Sequence, residues 1–478
     1  GGLIGVGAAF GLGTTNTKVS AKVGELVNLT AGNLSISAVG SDAVSVGVVS
    51  GAFGLASGSA ATATTRITSD VSAGIVDATS SGRKSTVNVI GTFLIAASHL
   101  ADPDAEIDTT AFGVLAGAGA EASNTIDSTV AAELGNYSVV GAGTLDVNAS
   151  NRLEGWIDID GKTGGLVSGA SADTLTTVNF ATSVRFGTSS IVDTTDVDGK
   201  LKAVVFNSLV HWHKAKLVTG GALAGAGAYA GFDGRNVLGE IIVGERAVLR
   251  SDGEIEMEVD GFTNINLQSY SDTFGVATVA LGYAKADVTP TNRIVFNQYA
   301  FVRATEDMFI STGTDRDLGL SEHELEMRVD NFAGSLIPIS SLKTRALYEA
   351  HNLVQIDDGA TLEGYANIDL NADGFNIASV VGVAKATNWA SAVGDALGGG
   401  SVGSGAGATR SVIMGDVVND GTIRTGIKRN VELTLVVNSV GDTVIDTANS
   451  TGEWIGGVFV NDIGFTAGRQ VLESAQFD

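Results

Sequence analysis

The chain has no cysteine among its 478 residues, which removes a disulfide framework, cysteine-ligated metal sites and cysteine nucleophiles together. That absence is compatible with an exported bacterial protein. Prolines number only three, aromatic residues stand at 6%, and charged residues at 17% against about 25% in ordinary globular chains. Basic residues are the scarcer sign: 28 Lys and Arg face 53 Asp and Glu, a formal charge of −25. Nucleic acid and anionic membranes recruit basic patches, so the balance argues against both as partners, and the acidic coat serves solubility. No apolar run of about 18 residues is free of glycine and polar interruptions, so no transmembrane segment is expected. The first residues carry neither an initiator Met nor a basic leader, and the chain reads as processed or as a piece of something longer.

What is abundant is glycine, 64 residues or roughly twice the usual share, beside 44% hydrophobic residues, which is not the composition of a disordered chain. The glycines gather in runs with alanine and single large apolar residues: 1–13 (GGLIGVGAAFGLG), 46–60, 111–122, 164–170, 220–231, 274–284, 332–339, 375–386 and 454–459. Regular apolar residues set these runs apart from Gly/Ser linkers. They are expected to be buried where two faces lie close, alanine and glycine allowing the approach and Val, Leu, Ile and Phe filling the remaining space.

A second segment alternates polar and apolar residues and recurs with Leu34, Phe93, Leu145, Leu201, Ile255, Phe309, Ile368 and Val431 as anchors. Successive anchors lie 59, 52, 56, 54, 54, 59 and 63 residues apart, a period that signals an array. Its clearest copy is 254–259 (EIEMEV), with Ile255, Met257 and Val259 on a buried side of the pleat and the acids on a wet one. A third, β-branched segment follows each Gly/Ala run. The unit therefore reads as strand, turn, small-residue strand, turn, β-branched strand, turn, with one short helix expected around Ala346, Leu347, Tyr348, Ala350 and His351.

All-strand repeats without two-residue Asn-Gly hairpins predict a right-handed parallel β-solenoid, or β-helix, of about eight degenerate repeats of roughly 55 residues. Each repeat is read as one wide coil, since its three segments are dissimilar and each occurs once. Turns such as Asp252-Gly253, Asp358-Gly359 and Asp420-Gly421 suit left-handed backbone positions. The array spans 1–478, with a Gly/Ser-rich loop excursion at 391–410 and a C-terminal tail at 466–478.

The GGxxGxG run, the link Thr14-Thr15-Asn16-Thr17-Lys18, the strand 19–23 and then Ala31-Gly32-Asn33-Leu34-Ser35-Ile36-Ser37-Ala38 resemble the repeat of large bacterial exported β-helical proteins, similar to filamentous-haemagglutinin-type and autotransporter-type adhesins. The likeness covers about 1–150, and past about 200 only the spacing persists. It implies an extracellular structural or adhesive role at the cell surface and carries no catalytic residues.

Three chemistries compete with bland readings. His211 and His213 lie i, i+2 on one strand face and could hold zinc or copper, but no third ligand is near and Lys214 and Lys216 oppose a cation. Asp193, Asp196 and Asp198 (DTTDVDG) could take calcium, the one candidate ion, although a closing bidentate Glu is missing. The acid groups at Asp102, Asp104, Glu106 and Asp108 and at Asp158 and Asp160 read as ordinary acidic turns or a weak ion site. Dispersed acids and few aromatics argue against a polysaccharide-degrading enzyme. Sparse Tyr and Trp argue against an outer-membrane barrel.

The function expected is therefore structural: the shaft of an adhesin, or the subunit of a head-to-tail homopolymer, with carbohydrate binding as the alternative. Leu3, Ile4, Val6 and Phe10 of the first strand are expected to stack on Trp454, Ile455, Val458 and Phe459 of another copy or of the parent chain.

Overall fold

The computed structural model describes residues 2–196, 199–313, 321–335, 337–372, 376–390 and 402–425, with the strand segments 435–438, 443–448, 453–455, 471–472 and 475–477. Among the described residues the chain is a parallel β-solenoid, and no helix is long and apolar enough to cross a membrane. Alternation in the sequence builds it. Along Thr92–Phe112 every second side chain is buried, from Phe93 through Ile107 to Ala111, and those between face outward.

Each repeat is one wide coil with three sides. Residues 34–53 run outward, the chain turns at 54–55, and 56–75 run back across the core, where the Ser59 hydroxyl donates to Ser50 (2.9 Å). The four-residue strand Thr86–Val89 then crosses the base before the next coil starts at Thr92. At about 3.3 Å per residue, each arm of some 20 residues is roughly 65 Å long, so the coil is flat and broad. The small-residue and β-branched segments are one continuous returning arm, not two strands with a turn between them.

Among the described residues the arms form an 18-stranded sheet and the base strands a nine-stranded one, and pairing is parallel except where 443–448 and 453–455 run antiparallel to earlier arms. An outer-membrane barrel would pair its strands antiparallel around a lumen, and these coils are parallel and filled.

Leu34, Phe93, Leu145, Leu201 and Ile255 stack in register, as the period predicts. The column goes on through Met308, the expected Ile368 and Leu435; Met308 and Leu435 lie one residue and four residues away from the expected Phe309 and Val431. The core decides the slip: Met308 is buried, and a one-residue shift would turn every neighbour to the other face.

Two large apolar clusters, with a small third one of Ala111, Ala116 and Ala118 near the corner, fill the space between the arms. One lies at the base around Phe93, Leu145 and Ile255. The other lies halfway out around Ile107, Ile157 and Leu217. A buried polar seam divides them: Asp42, His99, Asn151 and Asn207 on outgoing arms face Ser128 and Thr182 on returning arms.

Further out the arms converge, and alanine makes this possible: Ala116, Ala118, Ala120, Ala224, Ala226 and Ala228 all point inward and are buried. Val46 and Val48 fill the gap over Gly11 and Gly13 as expected, but the large residues nearest the corner do not. Phe53, Leu55, Phe112, Leu166 and Leu223 stand outside at the corner, because a returning arm already closed by alanine leaves no interior for them.

Other expectations change. Val402–Asn419 pairs with 339–356, so 402–410 continues a returning arm in place of a loop, its backbone hydrogen-bonded by the preceding coil; 391–401 lies outside the described residues. Asn376–Ala390, expected as a Gly/Ala copy, is an outgoing arm paired with 321–335. In the tail, 471–472 and 475–477 join the ladders. The expected helix around Tyr348 is strand Ile337–Ile356, where Ala346, Tyr348 and Ala350 are buried at period two.

The turns into six of the base strands repeat a left-handed residue two positions ahead, at Leu26, Tyr137, Ser189, Arg246, Tyr299 and Gly359 (φ 56° to 71°), whereas Thr86–Val89 is entered from Lys84 at φ −60°. Five of the six carry a side chain in a conformation that costs roughly 1–2 kcal/mol, a price met by the coil hydrogen bonds on either side. Of the Asp-Gly glycines expected to be left-handed, Gly359 alone is so among the described residues.

The register gives a direct test. Met308→Ala should lower stability by about 2–5 kcal/mol in denaturant unfolding, and Phe309→Ala by roughly 1 kcal/mol or less. The reverse order would place Phe309 in the core.

Candidate functional site

Two arrangements look like chemistry and are core. Asp42 Oδ2 lies 2.9 Å from His99 Nε2, and His99 Nδ1 lies 2.8 Å from Ser128 Oγ, the order of a Ser–His–Asp triad. All three are at most 4% exposed, and Ser128 also reaches Asn151 Oδ1 (3.0 Å). A serine enclosed in the seam meets no substrate carbonyl. Burial works against the Asp42 carboxylate, but hydrogen bonds from Thr17, His99 and Thr15 outweigh it and hold its pKa below the ordinary value.

His211 and His213 share the inward face as their spacing requires, and both are buried. The Thr176 hydroxyl lies 2.8 Å from each Nε2, and Thr174 lies 3.0 Å from His213 Nδ1. Burial pushes the His211 pKa down to about 3 and His213 well below its ordinary value, so both rings are neutral. Lys214 faces the other way, onto Asp158. Among the described residues no three His, Asp or Glu side chains converge as metal ligands.

Of the calcium candidates, Asp193 pairs with Arg250 (3.4 Å), Asp196 is exposed in the following turn, and Asp198 lies outside the described residues. The acid face of 254–260 is not wet as expected. Glu256, Glu258 and Asp260 are each under 9% exposed, and Lys200 and Lys202 of the preceding coil both reach Glu256. Burial opposes the Glu256 charge, yet the two lysines hold its pKa below the ordinary value.

Leu3, Ile4, Val6 and Phe10 are 70% exposed or more. Strand 453–455, which holds Trp454 and Ile455, pairs with 381–383 of its own chain; Val458 and Phe459 lie outside the described residues.

The open site is on the outward face of the outgoing arms. Asp104 pairs with Trp156 and Trp156 with Trp212 in three successive coils. The two indoles lie 6.5 Å apart at 55°, and Asp102, Asp104, Glu154 and Asp158 surround them in a shallow hollow of about 650 Å³. Gly155 leaves its floor bare, and a Cβ there would meet the Pro103 carbonyl at 2.6 Å.

Burial raises the Asp102 pKa, and Glu154 adds to it. Burial and Asp102 raise Asp104, although the Trp156 N–H groups donate toward it. At Asp158 the charge is balanced, because Lys214 sits 3.0 Å away and 5.9 Å from the Trp212 ring. The arrangement offers two flat aromatic faces beside carboxylates that accept hydrogen bonds and favour a positive or hydroxyl-rich ligand.

Sequence reading named Asp102, Asp104 and Asp158 as separate acid groups and passed over both tryptophans. The signal was present: Trp156 and Trp212 are 56 residues apart, the step from Leu145 to Leu201, and Asp104 and Trp156 are 52 apart, the step from Phe93 to Leu145. Comparison with protein-family models, curated proteins and solved structures found no match to this chain.

The carboxyls give opposite pH signatures. Asp102 has a raised folded pKa, so its ionisation opposes folding. Asp102→Asn should raise the thermal midpoint at pH 7, and the gain should fade as pH falls toward the ordinary value of about 4. Glu256 is depressed, so its contribution is present above about pH 4.3 and lost in acid. Glu256→Gln should lower the midpoint at pH 7 and converge with the parent in acid. Midpoints of all three proteins followed from pH 3 to 8 check both signs.

Proposed function

We propose that this chain is a shaft segment of a bacterial cell-surface protein, an extracellular structural element of the adhesin type. The supporting observation is the parallel register of coil on coil that the described residues keep between Gly2 and Asn419, with one bulge around 233–237, which makes a stiff body whose length is set by the number of coils. Buried ladders, neutral interior histidines and an acidic surface suit a structure that persists in solution.

A second element of the reading is carbohydrate binding, favoured by the Trp156–Trp212 hollow. Indole faces pack against the apolar faces of sugar rings, and the carboxylates of Asp102, Asp104 and Glu154 accept hydrogen bonds from their hydroxyl groups. Such a patch on a rigid sheet face holds a glycan chain without needing a closed pocket.

Glycan-array and titration binding test this. The parent protein should bind a subset of neutral or amine-bearing glycans. Trp156→Ala and Trp212→Ala should each weaken binding about tenfold or more, with the fold intact by circular dichroism. Binding unchanged by either substitution would remove the hollow from the account, and release of sugar fragments over time would replace binding with an enzyme reading.

A further inference from the structure

The corner where outgoing arms become returning arms carries an apolar ridge. Phe53, Leu55, Phe112, Leu166, Leu223 and Phe274, from five successive coils, are 44% to 61% exposed. Phe53 stacks on Phe112 with centroids 5.9 Å apart. Beside the ridge, on the outward face of the returning arms, Gly58, Gly117, Gly169 and Gly225 stack in register, and the first three floor a trough of about 440 Å³.

These glycines are not demanded by the chain's own packing. A Cβ at Gly58 or Gly117 meets nothing within 4 Å, and one at Gly169 or Gly225 meets only a backbone oxygen, at 4.0 or 3.9 Å. Glycine inside a strand costs roughly 0.5–1 kcal/mol relative to alanine, so four in one column without an internal steric reason point to an external body that approaches the backbone closely.

We propose that the external body is a second copy of this chain, docked side by side so that each ridge lies in the other's trough. Charge selects this occupant. Residues 51–60, 110–120, 163–172, 219–231 and 274–284 contain no Asp, Glu, Lys, Arg or His in a chain of net charge −25. A cationic partner would find nothing there to pair with, and another acidic copy meets least repulsion along that strip.

The area is sufficient. Five coils at about 4.8 Å by roughly nine residues at about 3.3 Å make on the order of 700 Å² per copy, and two strips reach the 1,200–2,000 Å² of stable interfaces. Ridge and trough run parallel to the coil axis, so only a two-fold parallel to that axis sets each ridge against the other's trough. The copies then point the same way with coils level, and residues between ridge and trough, such as Val167, face their own counterparts.

The docking is independent of glycan binding and adds sideways association to the shaft. Light scattering and analytical ultracentrifugation test it with three variants. The parent protein should form a concentration-dependent dimer, and Gly117→Val should raise the dimer Kd at least about tenfold while its unfolding midpoint stays the same or rises. Val167→Cys, the sole thiol in the chain, should give a covalent dimer under mild oxidation, and Ser20→Cys, exposed on the first returning arm, should not.

A parent protein that stays monomeric up to about 100 µM overturns the proposal, as does a Gly117→Val protein that dimerises as the parent does. Association with zwitterionic lipid vesicles that a Leu166→Glu variant loses, without any dimer, overturns it in favour of a lipid surface.

Discussion

Parallel hydrogen bonding between successive coils is the constraint on which everything else rests. It places each residue directly above and below its equivalents, so every position becomes a column and each column must tolerate its own kind. Large apolar residues meet this at the base (Phe93, Leu145, Leu201, Ile255), alanine where the arms converge, and paired hydrogen-bonding groups in the seam. Charged columns meet it by pairing opposite signs: Asp158 under Lys214, Glu240 beside Arg293, and Glu256 above Lys200 and Lys202. Like charges stacked one coil apart repel. The acids at Asp102 and Glu154 break that pattern, as Glu121 on Asp173 does, and what sets the first place apart is the pair of indoles beside its carboxylates.

The seam fixes how the two arms face each other. Sliding one arm by two residues would set His99 and Asn151 against Ile126 or Val130 and break the Ser128 bonds to both, a penalty of roughly 1–3 kcal/mol for each buried group left unpaired. The hydrophobic clusters on either side supply adhesion without choosing a register, whereas the polar groups between them do choose one. A Ser–His–Asp order at this place is thus a consequence of building a dry polar layer from Ser, His, Asn and Asp.

The coil class and its period were legible in the sequence because the base of the core accepts only large apolar residues at one depth, so Leu34, Phe93, Leu145, Leu201 and Ile255 repeat at near-constant spacing. Legibility ended at Met308-Phe309, where two adjacent large residues compete for that depth and only packing selects between them. The Gly/Ala runs were found, but which way each residue points was not. A corner resets the inward and outward alternation, and no composition rule locates the corner to the residue. Trp156 and Trp212 escaped notice because neither has a local motif, and they become neighbours only after the register is applied.

One wide coil per repeat underlies the columns, the hollow and the ridge alike. Electron cryomicroscopy of the protein measures it directly. Flat layers roughly 65 Å across are expected, spaced about 4.8 Å along the axis, with one layer for each period of 52 to 67 residues in the register. A body about half as wide and twice as tall, with two layers for each period, would contradict it.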